Sequence, residues 1–560
     1  MSELPSDNDA EEQPQDPSRR RLLGGLAAAG AALAVGGAPT MAGAASKAVV
    51  GNTPLDAALR KHIQRVVVIY AENRSFNNLF ANFPGVEKPL GALKPADYQQ
   101  CDRDGSLLKV LPPVWHGLAP HKQVVNHRNY QVMEDDLKGL PNAPWALRTG
   151  DGEPLPHGVV TRDLVHRFYE NQRQINGGRN DGFVAWGDTG AMVMGYYDDS
   201  AANLRLWRLA RQYTLCDNFF MGAFGGSFLN HQYLVAAQPP YYPNADQSPA
   251  RFNIAVTESG EATDIHLKLA EDSPRSAMDG KPKFASRSSL TPDFYAVNTM
   301  SPPYAPSATQ SGRDPLLADE ESPNTVPPQT HKTVGDVLSA AGVEWAWYAG
   351  AWQLALEGKG DGDEKQFPQR PNFQYHHQPL NYFKSFAPGT EMRAKHLRDA
   401  GVGETAQTNH FLADIAADKL PAVSFYKPQG DLNMHAGYSD VDAGDRHIMA
   451  IVDALQKSPS WSHTLVIITV DENGGWWDHV APPKGDRWGP GSRIPTIIVS
   501  PFARKGHVDH TIYDTGSIAR FLTRRFGLEK LPGLALREQA MVAAGGPAPG
   551  DLTNALVFET

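Results

Sequence analysis

The chain predicts an α/β fold, a mostly parallel central sheet with helices on both faces. Two observations carry this: short apolar runs recur with helical patterns between them, and the run Leu465–Val470 is apolar throughout, as in a strand buried on both faces.

Taken in order, the predicted strands are Val66–Tyr70, Trp345–Tyr348, Ala422–Tyr426, Leu465–Val470 and Pro495–Val499. Predicted helices are Thr161–Gln174, Thr333–Ala341, Ala406–Lys419, Asp445–Gln456 and Thr515–Phe526, the last opening in the capping context Asp514-Thr515-Gly516-Ser517. Two stretches, near 85–156 and 239–330, are rich in Pro, Ser, Asp and Asn without periodicity. They read as loop insertions over a sheet edge or the mouth of a site within a single catalytic domain, 46–560.

The 560 residues carry a formal net charge of -10 with 20% charged and 41% hydrophobic residues. Such a composition suits a globular protein, and no basic stripe offers a nucleic-acid surface. Ser18-Arg19-Arg20-Arg21-Leu22-Leu23, the small apolar stretch Gly24–Gly37 and Ala42-Gly43-Ala44-Ala45 together predict a twin-arginine signal over 1–45. That implies the twin-arginine translocation machinery as a partner and a periplasmic or secreted destination. The two cysteines, Cys101 and Cys216, form no C-x-x-C pair, which excludes a zinc-thiolate site and leaves a disulfide open.

In open α/β sheets, functional groups collect at the carboxyl ends of strands. Here one strand runs into Glu72-Asn73-Arg74-Ser75 and another into Asp471-Glu472-Asn473-Gly474-Gly475. Carboxylate and amide oxygens suit a hard divalent cation such as Mg²⁺, Ca²⁺ or Mn²⁺, with Fe an option where histidines are near. The competing reading makes Glu72 and Asp471 helix caps. Gly225-Gly226-Ser227 places Ser227 at a tight turn opening a helix, where backbone N–H groups attract phosphate. Ser227 there is either a nucleophile or a plain cap.

Three blocks, Val68–Asn77, Asn176–Phe183 and Thr469–His479, resemble the bacterial phosphoesterase family of phospholipases C and acid phosphatases, within the alkaline-phosphatase-like superfamily. The resemblance implies the three-layer sandwich of that superfamily and one divalent metal held by Glu72, Asn73, Asp471 and Glu472, with Ser227 bridging it to phosphate. It implies His166, His377 and His435 around the phosphate, with His157 competing for the place of His166. His376, Asn230 and His479 are expected to contact substrate. The expected activity is serine-dependent hydrolysis of phosphate monoesters with an acidic optimum. Only about thirty residues follow the last predicted helix, which leaves no room for the C-terminal β-domains of larger phospholipases C and favours the acid phosphatase branch. Phospholipase C activity on phospholipids, and a non-catalytic secreted ligand-binding protein on the same fold, are the alternatives.

Replacing Arg19, Arg20 and Arg21 together by Lys should hold the protein in the cytoplasm, because the export receptor reads guanidinium groups. Cell fractionation checks this, and normal periplasmic accumulation of the triple variant would refute the signal.

Overall fold

The computed structural model describes residues 53–360, 367 and 370–558. The expected signal over 1–45 lies outside the described residues. The central sheet has eight strands: β1 (Arg65–Ala71), β2 (Thr214–Cys216), β3 (Trp345–Ala349), β4 (Leu397–Asp399), β5 (Val423–Lys427), β6 (Thr464–Val470), β7 (Thr496–Val499) and β8 (His507–Asp509). Their spatial order is β8-β2-β7-β6-β1-β5-β3-β4. β7 runs antiparallel to both of its neighbours, and every other pairing is parallel.

All seven residues of β6 and all five of β3 and β5 are buried. Side chains alternate faces along a strand, so full burial means that both faces are covered. The covering helices are α1 (Pro54–His62), α2 (Phe168–Ile175), α3 (Arg205–Gln212), α4 (Ser227–Ala236), α5 (Val334–Ala340), α6 (His410–Ala416), α7 (Val441–Lys457), α8 (Gly516–Phe526) and α9 (Pro532–Ala543). In one group α3 and α6 both pack on α7, and a second comprises α1, α4, α5 and α8. The mixed α/β class with a large, mostly parallel sheet is therefore as the sequence predicts.

The five predicted strands stand within a residue or two of their expected bounds. The helices depart more. Thr333 caps α5 with a reciprocal capping box to Asp336, close to expectation. α7 begins earlier than predicted because the Asp440 side chain accepts from Ala443 N. The predicted helix Thr161–Gln174 is helical only from Phe168. In the preceding segment, Arg162 N donates to Leu118 O, Val165 N to Asp188 Oδ1 and Phe168 N to Asn298 Oδ1. Long-range acceptors thus take the backbone donors that a first helical turn would leave unsatisfied. Cys101 and Cys216 are both free thiols. No helix among the described residues is long and apolar enough to cross a membrane.

On α7, buried His447 accepts the Tyr426 hydroxyl at Nε2 across 2.7 Å while Asn409 Nδ2 donates to the same hydroxyl. The ring is therefore neutral with its proton on Nδ1, and burial pushes its pKa down to about 4. The unfolded chain, with an ordinary histidine near 6.5, binds more protons between those two values, so stability falls as pH drops through that window. His447→Gln, which still accepts from Tyr426 but cannot titrate, should show a shallower loss of melting temperature between pH 7 and 4 than the parent. Parallel curves for the two proteins would refute this.

Candidate active site

The strand register sets the site. Ala71 of β1 pairs with Val470 of β6, and Ile69 of β1 with Tyr426 of β5. The next residues along, Glu72, Asp471 and Lys427, therefore emerge side by side at the carboxyl edge, and all are fully buried. Asp471 N completes the register by donating to Ala71 O.

Neither Glu72 nor Asp471 caps a helix. Glu72 Oε1 lies 2.5 Å from Lys427 Nζ and 2.6 Å from His377 Nε2, and Oε2 accepts the Tyr438 hydroxyl at 2.8 Å. Asp471 Oδ1 accepts from Asn73 N and Glu472 N at 3.1 and 2.8 Å, and its Oδ2 is buried without a hydrogen-bond partner. Glu472 Oε2 accepts from Gly474 N at 2.5 Å while Oε1 faces the Ser227 hydroxyl at 3.5 Å. Asn73 sits in the left-handed region at φ 54, which Asn tolerates better than most residues. Its Oδ1 accepts from Ser227 Oγ at 3.2 Å.

Gly226 is the N-cap of α4, and Ser227 is the first helical residue. The cap reading of Ser227 is thus excluded: its hydroxyl points at Asn73 and Glu472 instead. Gly226 is required there because a Cβ would meet His166 O at 2.8 Å. Gly474, at φ +60, presses on Asn73, where a Cβ would lie 2.4 Å from the carbonyl oxygen. These contacts lock the three loops together.

The histidines are oriented by their backbone partners. His166 Nδ1 bonds Leu164 O at 2.5 Å, His231 Nδ1 bonds Ser227 O at 2.7 Å, and His435 Nδ1 bonds Ala436 O. A carbonyl only accepts, so each Nδ1 carries a proton; Nε2 of His166 and of His435 faces the site, whereas His231 has Nδ1 itself 3.6 Å from Asp471 Oδ2. His166 Nε2 lies 3.3 Å from Asn73 Nδ2 and 3.6 Å from Glu472 Oε1. His435 Nε2 lies 4.0 Å from Glu72 Oε2, its ring stacked on Tyr438. His377 is the reverse case: Nδ1 accepts from Gln374 N, so Nε2 holds the proton toward Glu72.

His377 accordingly braces Glu72, whereas His376 lines a cleft of about 960 Å³, open mouth included, together with His166 and Gly226. The order of this pair was unreadable from the loop sequence. His157, the competitor of His166, instead contacts Ser200 and Tyr197. Asn230, expected on substrate, spends its amide on Ala223, Gly225 and Gly226 and so shapes the glycine turn. His479 bonds Asn77 Oδ1 at 3.0 Å and stands with the Arg493–Asp478 pair rather than with the cluster. Lys427, His231 and Tyr438 belong to the site and were missed, a lysine ending a strand and a histidine inside a helix having no motif to mark them.

Charge compensation is incomplete. Burial would raise Glu72, but Lys427, with His377 and His435, holds it well below the usual carboxylate range. Burial and the Glu72 charge raise Asp471, and burial raises Glu472 well above its ordinary value. An orphaned buried Asp471 oxygen beside the hard oxygens of Asn73, Ser227 and Glu472 fits a divalent cation. Glu72, His231 and Asp471 also bring ligand atoms within 4.8 Å of one another, but His231 Nδ1 is committed to Ser227 O, which leaves the two carboxylates as the ligands of that group. The grouping of Asp163, His166 and His435 fits a metal poorly, because both Nδ1 atoms are committed to carbonyls.

The chain matches the Phosphoesterase family over residues 63–529. The non-hemolytic phospholipase C of Pseudomonas aeruginosa is 30% identical over 177 residues, 26% of this chain and 24% of that protein. Phospholipase C B of Mycobacterium tuberculosis is 24% identical over 584 residues, 98% of this chain and 87% of that one. A solved protein of the alkaline phosphatase superfamily from Vibrio parahaemolyticus aligns with 63% of this chain and 64% of its own, at 12% identity and TM-score 0.29.

Asp471→Asn should lower bound divalent metal, read by mass spectrometry, while circular dichroism stays unchanged. In metal-free protein it should melt no lower than the parent, since it removes a buried, poorly compensated charge. Full metal occupancy in the variant would refute this placement.

Proposed function

Since this chain belongs to the Phosphoesterase family and is a hydrolase acting on phosphoric ester bonds, we propose that it cleaves phosphate monoesters with Ser227 as nucleophile. The supporting observation is the orientation of a buried, non-capping serine: its hydroxyl faces two oxygen acceptors, Asn73 Oδ1 and Glu472 Oε1. Family membership sets aside the non-catalytic reading.

Asn73, Ser227, Asp471 and Glu472, with Glu72 beside them, would hold one divalent cation. When bound, it supplies positive charge against the phosphoryl oxygens and the serine oxygen. Glu472 Oε1, 3.5 Å from Ser227 Oγ, is placed to take the serine proton. Ser227 Oγ forms a bond to phosphorus as the ester oxygen–phosphorus bond breaks, and the departing alcohol takes a proton from a cleft histidine in its doubly protonated form, His166 or His376. Water then attacks phosphorus, the Oγ–phosphorus bond breaks, and Ser227 regains its proton. Lys427 adds positive charge beside the group being transferred, and His435 Nε2 faces the same space.

Phospholipid head-group cleavage is the second reading, favoured by the phospholipase C relatives. The monoester reading rests on the asparagine, serine and threonine side chains that share the cleft with Phe228, Val297, Met300 and Ala308. Export by the twin-arginine route remains part of the proposal.

Ser227→Ala should lower turnover of p-nitrophenyl phosphate by several orders of magnitude, roughly the loss seen on deleting other nucleophiles. Phosphate affinity and melting temperature should change little. Near-parental turnover would remove Ser227 from the chemistry, and a clear preference for phosphatidylcholine over p-nitrophenyl phosphate would select the second reading.

A further inference from the structure

The cleft beside Ser227 has an unusual electrostatic composition. Gly226 and Phe228, which flank the serine, both line it, so it opens directly onto the nucleophile's turn. Its far wall comes from the insertion at 239–330 and includes Arg287. No aspartate or glutamate lines it, in a chain of formal net charge -10. Two arginines and two histidines do.

The two arginines differ. Arg167 is held in place, with Nη2 3.3 Å from Ser288 Oγ and Nε 3.7 Å from Glu170 Oε1, so its charge is partly matched. Arg287 is exposed and makes no ion pair or hydrogen bond among the described residues. Its position is nonetheless fixed by its neighbours. Ser288 is tied to Asn298 Nδ2, and Leu290 bridges to both Ile254 and Ala296. Asn298 in turn accepts from Phe168 N at 2.9 Å, two residues from His166. The wall bearing Arg287 is thus linked by hydrogen bonds to the segment bearing a candidate catalytic histidine.

An unmatched guanidinium facing an open cleft without carboxylates attracts anions and repels cations, and it pairs with a carboxylate or phosphate in a fork of two hydrogen bonds. Resting on the monoesterase reading above, we propose that this cleft is the leaving-group subsite and that Arg287 selects phosphate monoesters whose alcohol carries a second anionic group. The hydroxyl side chains of Ser289, Thr299 and Ser301, which line the same cleft, face the remainder of that alcohol. A cationic alcohol would be disfavoured in the same place.

The test uses metal-loaded enzyme and matched esters. 2-Phosphoglycerate and glycerol 2-phosphate differ by a carboxylate in place of a hydroxymethyl group. Fructose 1,6-bisphosphate and fructose 6-phosphate differ by a second phosphate. The parent should show a kcat/KM about tenfold or more higher for the carboxylate ester, the bisphosphate or both, and which pair responds identifies the anion. Arg287→Ala should remove most of that preference through KM, leaving glycerol 2-phosphate and p-nitrophenyl phosphate turnover near parental. Arg287→Glu should reverse it, and melting temperatures should be unchanged because the side chain is exposed. Equal kcat/KM within both pairs, or an unchanged preference in Arg287→Ala, overturns the inference while p-nitrophenyl phosphate turnover leaves the monoesterase reading standing. An enzyme inactive on every monoester overturns both.

Discussion

Three carboxylates, Glu72, Asp471 and Glu472, are buried together at the ends of two adjacent parallel strands, and the architecture around them answers that constraint. Charges out of water are unfavourable unless paired and hydrogen-bonded. Lys427, delivered by the neighbouring strand in the same register, offsets Glu72. The other two are left short of positive charge and are pushed toward protonation. That deficit suits the site to a divalent cation. The glycines on either side, pressed against Asn73 and His166, leave no room for a side chain and so let the three loops approach closely.

The histidines show how backbone geometry becomes chemistry. His166 and His435 spend Nδ1 on carbonyls of their own loops, so their Nε2 atoms are aimed before any ligand arrives. Such preorganisation removes an ordering step from binding and from the transition state. His377 has the opposite tautomer because a backbone N–H reaches its Nδ1, and this turns it into a support for Glu72. Adjacent residues His376 and His377 therefore take different tasks, one on the cleft wall and one behind the carboxylate.

The strands were legible because burial on both faces leaves an unbroken apolar run, and the acidic residues that follow two of them stand out against it. Ser227 was legible through its glycines. What the sequence hid depends on long-range contacts. Residues 161–167 have helical patterning, but side-chain and loop acceptors elsewhere claim their N–H groups, so His166 lies on an extended segment. Lys427 resembles an ordinary strand end until β1 places Glu72 beside it. Asn230 looks like a polar residue facing substrate until its amide is seen holding the glycine turn.

The central claim is that Ser227 itself attacks phosphorus, and the stereochemical course of transfer tests it most directly. Two successive in-line displacements, first by serine and then by an acceptor, each invert phosphorus and together retain its configuration. With a monoester made chiral by oxygen isotopes and a diol as acceptor, the geometry around Ser227 predicts net retention. Net inversion would mean a single displacement by the acceptor, with Ser227 outside the covalent path.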